Sequence, residues 1–232
     1  MQLGYAHNFD KIEPSFFTDA RRKDTSDYII GISQLLTPKT VASVNFTYGT
    51  DSGYLSDPYK NVRFDGWLPQ TFIFAEKRPH VRDREIMLAT LTQFIDPLNA
   101  SVELSYRFYH DTFNINAHTA ALTWYQKIGR YLVVQPSFRY YEQDEAFFYT
   151  IGVPGFTPND GDPARPTYYS ADYRLSHLES YTYGVQALVR VRDWLGIDLG
   201  YQRYEMYGLD NVTSSTAYPN ANVFSAGFRL WF

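Results

Sequence analysis

The chain has 232 residues, a formal charge of −4 and no cysteine. The missing thiols exclude disulfides, thiolate metal centres and thiol catalysis, and without a basic run or patch there is no footprint for nucleic acid. Hydrophobic residues make up 44% while mean hydropathy is −0.37; no apolar run is long enough for a membrane helix, yet alternating strands of a membrane barrel average out as mildly polar in the same way.

Taken in order, MQLGYAHN at residues 1–8 predicts the upper part of a first strand. The opening segment to Pro14 lacks a basic stretch followed by an apolar one, the form of an export signal. The expectation is that a signal is removed from an exported barrel, or that this is the C-terminal part of a larger one. After a polar stretch holding the Asp19–Asp24 cluster, Tyr28–Leu36 and Thr40–Thr50 predict a hairpin about Pro38. A long polar and aromatic loop runs from Asp51 to about Asp83. Arg84–Ile95 and Ala100–Asp111 then read as strands joined by Asp96-Pro97-Leu98-Asn99, and Ile115–Gln126 and Tyr131–Glu142 as a pair joined around Gly129.

The longest loop, Gln143 to His177, is rich in Gly, Pro and Asp. Leu178–Val191 and Trp194–Tyr207 meet at Arg192-Asp193, and Val223–Phe232 alternates to the end. This predicts an all-β fold: a transmembrane antiparallel up-and-down barrel of about ten strands, with short periplasmic turns and long extracellular loops, in one domain over residues 1–232. Phe224, Phe228, Leu230 and a terminal Phe232 form the pattern expected of a barrel-assembly signal.

Both a soluble sandwich and a membrane barrel need one apolar face, so the other face discriminates. Ile30, Ile32, Val44, Phe46, Ile86, Leu88, Leu104, Leu122, Phe138, Val185 and Leu199 are assigned to the apolar face, which is expected to be free of charge within the spans. The opposite face is small and neutral, with sparse charges of both signs: Glu85, Glu103, Arg107, Arg139, Arg190, Asp198 and Arg229. Such a face suits a crowded lumen in which each charge has a partner. The 21 tyrosines suit an interface where one end of the ring is apolar and the other wet. Pro136, on the apolar face in mid-strand, predicts a bulge or register break.

The segments Gly53-Tyr54-Leu55-Ser56-Asp57-Pro58-Tyr59-Lys60, Arg78-Pro79, Tyr106-Arg107-Phe108-Tyr109-His110-Asp111, His118-Thr119 and Tyr168-Tyr169-Ser170-Ala171-Asp172-Tyr173-Arg174-Leu175-Ser176 add a resemblance. Together and in this order they resemble an uncharacterised Gram-negative family, domain-of-unknown-function family 3570. The resemblance implies an outer-membrane location and members longer than this chain. Its genes lie near those of a flavin transferase and a thioredoxin-like protein, which implies an extracytoplasmic redox or lipoprotein partner. No active site comes with it.

The candidate chemistry is sparse. His110-Asp111 and Ser176-His177 fall at strand ends beside the long loops, where a rim hydrolase would place its residues; no motif fixes their mutual geometry, and wetted strand ends account for them. Asn159-Asp160-Gly161-Asp162 lacks calcium-loop spacing and reads as a turn. Asp57, Lys60, Arg78 and Asp172 are expected to pin the long loops across the mouth. The resulting expectation is a non-enzymatic scaffold or narrow conduit without cofactor or metal, whose partners are outer-membrane lipid, the barrel assembly machinery and the redox or lipoprotein partner. A porin-like solute channel is the alternative and a rim-site hydrolase the second.

Overall fold

The computed structural model describes residues 1–15, 17–66, 71–156 and 166–230. In chain order its strands are β1 (Gln2–Ile12), β2 (Arg21–Thr37), β3 (Thr40–Gly53), β4 (Asn61–Gly66), β5 (Thr71–Ala75), β6 (Val81–Ile95), β7 (Ala100–Asp111), β8 (Asn116–Ile128), β9 (Leu132–Gln143), β10 (Gly152–Phe156), β11 (Leu178–Arg192), β12 (Leu195–Gly208) and β13 (Ala221–Leu230). Ten of them form one antiparallel sheet in the order β1-β2-β3-β6-β7-β8-β9-β11-β12-β13, and β10-β4-β5 form a small second sheet. Every large strand therefore pairs with the next large strand in the chain. Among the described residues β1 and β13 each have one neighbour, which leaves the sheet with two edges.

The expected hairpins are present. Thr37 pairs with Thr40 across Pro38-Lys39, and Asp96–Leu98 makes a single 3₁₀ turn closed by Asn99 in the left-handed region at φ 47°. Gly129, at φ 57°, turns β8 into β9; glycine takes that conformation without steric cost. Strand β2 begins at Arg21 rather than Tyr28, because polar residues continue a strand that its paired neighbours support. Four short turns lie at one end of the sheet. The long connections lie at the other, together with the short β7–β8 link.

Burial along the sheet is inverted relative to a water-soluble protein. On β3, Val44, Phe46 and Tyr48 are exposed, while Asn45 and Thr47 between them are partly buried. The same holds for Leu104 against Ser105, and for Leu122 against Thr123. Exposed apolar side chains recur on every large strand, including Leu3, Ile30, Ile32, Phe138, Val185, Leu199, Phe224 and Phe228. Register places them side by side: Ile30 opposite Phe46, Leu91 opposite Leu104, Leu104 opposite Leu122, and Leu122 opposite Phe138.

Register corrects three expectations. Glu85 pairs with Tyr48 and His110, on the face of Met87 and Phe108, whereas Ile86 and Leu88 pair with Thr47 and Asn45 on the polar face. β6 carries apolar residues at both parities, so its own alternation does not choose a face and its neighbours do. The apolar face is also bounded by charge: Arg203 and Glu205 share the parity of Ile197 and Leu199, opposite Tyr183 and Tyr181. Opposite Pro136 two β8–β9 pairs are missing, but the register resumes unshifted from Thr123–Ser137 to Gln126–Val134, without the bulge expected there. The proline removes one donor and its strand keeps its phase.

Apart from Ala100, Ala117 and Leu178 near strand ends, the buried apolar residues lie in the connections, including the short β7–β8 link, rather than in the sheet's middle. Phe113, Ile115, Ala146, Phe148 and Leu175 form one cluster, and Val62, Phe64, Val153 and Tyr169 another. The two longest connections thus fold on each other through the small sheet and build a cap at the long-loop end.

Candidate functional site

The cap is held by a buried ionic cluster. Asp172 caps the 3₁₀ turn Tyr173–Leu175 by accepting from the Arg174 backbone N–H. Its carboxylate, 1% exposed, takes hydrogen bonds at 2.9 Å from the Arg78 Nη2 and the Arg174 Nε, with the Lys60 ammonium 4.0 Å away. Arg78 Nε reaches Glu76 at 2.7 Å, and the Ser170 hydroxyl donates to the same carboxylate at 2.5 Å. Arg174 Nη2 also holds Asp57 at 3.0 Å. Three carboxylates (Asp57, Glu76, Asp172) thus meet three cations (Lys60, Arg78, Arg174). Such neutrality makes the burial of Asp172, Glu76 and Arg78 tolerable, since each of these charges lies beside an opposite one.

A second layer lies on the polar face of the sheet. Asp111, at the end of β7, accepts from Arg82 Nε at 2.7 Å, from the Tyr109 hydroxyl at 2.6 Å, and from the backbone N–H groups of Phe113 and Ile115. This carboxylate closes the tight β7–β8 link. Beside it Arg84 joins Asp27 and Asp51, each at 3.1 Å. The row Asp27–Gly49–Arg84 explains the glycine: a Cβ on Gly49 would sit 2.9 Å from the Arg84 Nη2.

Between cap and sheet is a cavity of about 340 Å³, lined by Arg78, Arg82, Arg107, Tyr109, Tyr141 and Arg174 among others. A smaller hollow of about 260 Å³ beside it shares Arg78 and Arg82. Two larger grooves lie on the apolar face, around Leu199 and Phe224 and around Tyr28 and Phe46. They are shallow and present no convergent polar groups. Among the described residues no set of three His, Asp or Glu side chains converges as a metal site.

The predicted residues separate into groups. Asp57, Lys60, Arg78 and Asp172 come together in the cap. The supposed lumenal network does not form as one unit. Arg229 grips Asp198 through two 2.9 Å bonds, while Arg190 turns to the Asp193 carbonyl. Glu103 faces Thr92; Arg107 is four residues away along an extended strand, roughly 13 Å, too far to pair. Arg107 and Arg139 instead lie over the rings of Tyr109 and Tyr141, at 5.4 and 5.6 Å. Glu85 lies on the opposite face. His110 bonds Asn116, and His177 lies 3.8 Å from Glu142. Two strands, β8 and β9, separate them. Phe224, Phe228 and Leu230 lie on the exposed edge strand β13. Phe232 and Asn159–Asp162 fall outside the described residues.

Sequence reasoning missed Glu76, Arg82, Ser170 and Arg174. Each is an ordinary loop or strand-end residue until the partner arrives; Glu76 and Ser170 are 94 positions apart. Asp111 was noticed only as a neighbour of His110.

Over residues 2–225 the chain matches the family described as "Protein of unknown function (DUF3570)". The chain belongs to that family. No curated protein and no solved structure matches it. The DUF3570 match takes in the whole cap, both ionic layers and the cavity, while Phe228, Arg229 and Leu230 lie beyond it.

The cap of this DUF3570 protein should be acid-sensitive. Burial opposes the charge on Asp172, but the hydrogen bonds and charge of Arg174, with Arg78, outweigh it and hold the carboxyl below its ordinary value of 3.8. A depressed folded-state pKa stabilises above the unfolded value, and that contribution disappears as pH falls through the folded one. Amide exchange in the Tyr169–Ser176 segment is therefore expected to be flat from pH 7 to about pH 4, after correction for intrinsic rates, and to accelerate below. Acceleration already at pH 6 would contradict this.

Proposed function

We propose that the ten-stranded sheet is the wall of an outer-membrane β-barrel, and that the protein works as a non-enzymatic scaffold or narrow conduit for an extracytoplasmic complex. The observation that carries the reading is the inverted burial. About a dozen large apolar side chains left half exposed in water would forfeit on the order of 10 kcal/mol, comparable with the whole net stability of a domain. Lipid removes that cost. Tyrosines border the apolar zone on the long-loop side: Tyr5 against Tyr28, Tyr140 against Tyr181, and Tyr201 against Phe224, with ring centres 5.0–5.2 Å apart. Glu85, Glu142, Arg203 and Glu205 lie at or beyond that border. This is the sequence of zones that a bilayer imposes: apolar, aromatic, charged.

An unpaired edge is a liability in any sheet, and closure abolishes it. Ten is an even number, so β1 and β13 run antiparallel and are oriented to pair. Cysteines in place of Tyr5 and Phe224, the protein's first, are expected to cross-link in the inserted protein, as are neighbouring pairs stepped along the two strands. If every registered pair fails to oxidise while cysteines placed across β12 and β13 do, the wall contains further strands between these edges. The partners under this reading are outer-membrane lipid, the assembly machinery at the β13 edge, and a redox protein or lipoprotein.

The deciding measurement is conductance of the folded protein in a planar bilayer, with folding checked by heat-modifiable migration. A silent, inserted protein supports a scaffold closed by its cap. Stable open steps support the conduit. Recovery of the protein from the aqueous fraction, folded without detergent, would overturn the membrane reading.

A further inference from the structure

Charge is divided unevenly between the two ends of the sheet. The chain carries −4 in total, yet the segment 119–141 holds Lys127, Arg130 and Arg139 and no carboxylate. The segment 180–197 holds Arg190, Arg192 and a single carboxylate, Asp193. These segments make up most of the β8–β9 and β11–β12 hairpins, which the pairing of β9 with β11 sets side by side. A bond from the Arg190 backbone N–H to the Tyr131 carbonyl carries that pairing up to the turns. Arg130 and Arg192 therefore leave from adjacent strands, roughly 5 Å apart. The long-loop ends of the same strands carry the opposite sign: Glu142 and Glu179 stand directly across from each other, and Glu205 pairs with Arg203 on β12.

Elsewhere at the short-turn end the cations are compensated. Lys39 holds Asp96, Arg229 holds Asp198, and Arg190 turns to Asp193. Among the described residues Lys127, Arg130 and Arg192 form no ion pair, and all three are exposed. Their surroundings supply a second observation. The Arg130 guanidinium lies 4.7 Å from the centre of the Tyr131 ring. Tyr131, Trp194, Ile128 and Val191, on the same two turns, are about half exposed. Tryptophan and tyrosine gather where an apolar layer meets a polar one, and cations beside them reach the headgroups.

We propose that the adjoining β8–β9 and β11–β12 turns bind the headgroup of an anionic phospholipid, through Arg130 and Arg192 with Lys127 in support. Guanidinium groups suit this ligand because their planar N–H pairs match phosphate oxygens. Lys127 leaves from the polar face near the end of β8, and its long stem lets the ammonium reach the rim. Asp193 is engaged by Arg190, so the surplus at the two turns stays positive. The half-exposed Trp194, Ile128 and Val191 beside the cations favour a lipid over an acidic soluble protein, since acyl chains cover them. No bond is made or broken. The proposal rests on the barrel reading, which puts these turns at a membrane surface.

A local reporter tests it, since the protein has no cysteine of its own. Ile128→Cys carries a fluorophore at the candidate turns, and Leu36→Cys carries the same label at the β2–β3 turn as the reference. The full chain is folded into phosphatidylcholine vesicles with a minor fraction of doxyl-labelled phosphatidylglycerol or, separately, doxyl-labelled phosphatidylcholine. Quenching at position 128 is expected to be stronger with phosphatidylglycerol, and at position 36 equal with both. The preference should shrink as salt is raised. Arg130→Gln and Arg192→Gln are each expected to lower it by up to about fivefold at low salt, and the double substitution to abolish it. Lys39→Gln, at a cation already paired with Asp96, is expected to leave it unchanged. Equal quenching by the two lipids at position 128, in protein shown to be folded and inserted, would overturn the site and leave the barrel standing. A preference that survives the double substitution would overturn it too. Folded protein that stays in the aqueous fraction would overturn the barrel reading and the site with it.

Discussion

Replacing Asp172 with Asn is expected to open the cap while leaving the sheet folded. The side chain is 1% exposed and is shared by Arg78, Arg174 and Lys60. Removing one partner of a buried ion pair strands the other charge, at a cost of about 3–5 kcal/mol. Arg78, itself only 12% exposed, keeps Glu76 but loses its second carboxylate. Amide exchange should then rise by more than about 100-fold in the cap segments around Glu76 and Ser170. Protection in the strand pair β8–β9 should change little. The matched control is Asp198→Asn, whose partner Arg229 is 53% exposed; pairs of that kind contribute roughly 1 kcal/mol or less. Equal effects from the two substitutions would show that the cap cluster is not what holds the connections together.

Leu104→Arg is expected to be the most damaging change on the outward face. Leu104 is 48% exposed and lies opposite Leu91 and Leu122, deep in the apolar zone. In water an arginine there would be harmless, or even favourable for solubility. Facing lipid near the midplane it would cost about 2–4 kcal/mol. The comparison is Thr123→Arg, one residue from Leu122 but on the polar face, opposite Glu103. It gains an opposite charge across the strand and should cost less than about 1 kcal/mol. Urea titrations of folding into lipid vesicles measure both. A neutral Leu104→Arg alongside a harmful Thr123→Arg would place the lipid-facing side on the wrong face and sink the membrane reading.

How far the residues by themselves reached differs along the chain. β7 was legible to its ends at Ala100 and Asp111, since it alternates cleanly and follows the turn Asp96-Pro97-Leu98-Asn99. β6 was legible as a strand but not in orientation: Ile86 and Leu88 on one side and Met87 and Leu91 on the other offer two apolar stripes. That is why Glu85 was assigned to the wrong face. Pro136 was read correctly as a misfit, but in place of the expected bulge or register break it leaves a gap of two pairs in unshifted register, because a missing donor interrupts pairing locally without adding a residue. The short strands β4, β5 and β10 were passed over as loop, since strands of five or six residues carry too little alternation to stand out.

The candidate site was legible only in part. Asp57, Lys60, Arg78 and Asp172 stand out as charges in aromatic loops, but nothing local couples Glu76 to Ser170. An ion pair is a property of two positions, and its chain separation is arbitrary.

The sequence by itself determined that this protein is all-β, with ten long strands meeting at short turns on one side and long connections on the other. It could do so because alternation and turn chemistry are local, acting over two to four residues. Only the tertiary structure decided which face β6 presents, and that the long connections fold into a cap held by a neutral cluster of six charges. Those outcomes depend on register and on charges brought together from distant positions, which no local stretch of sequence encodes.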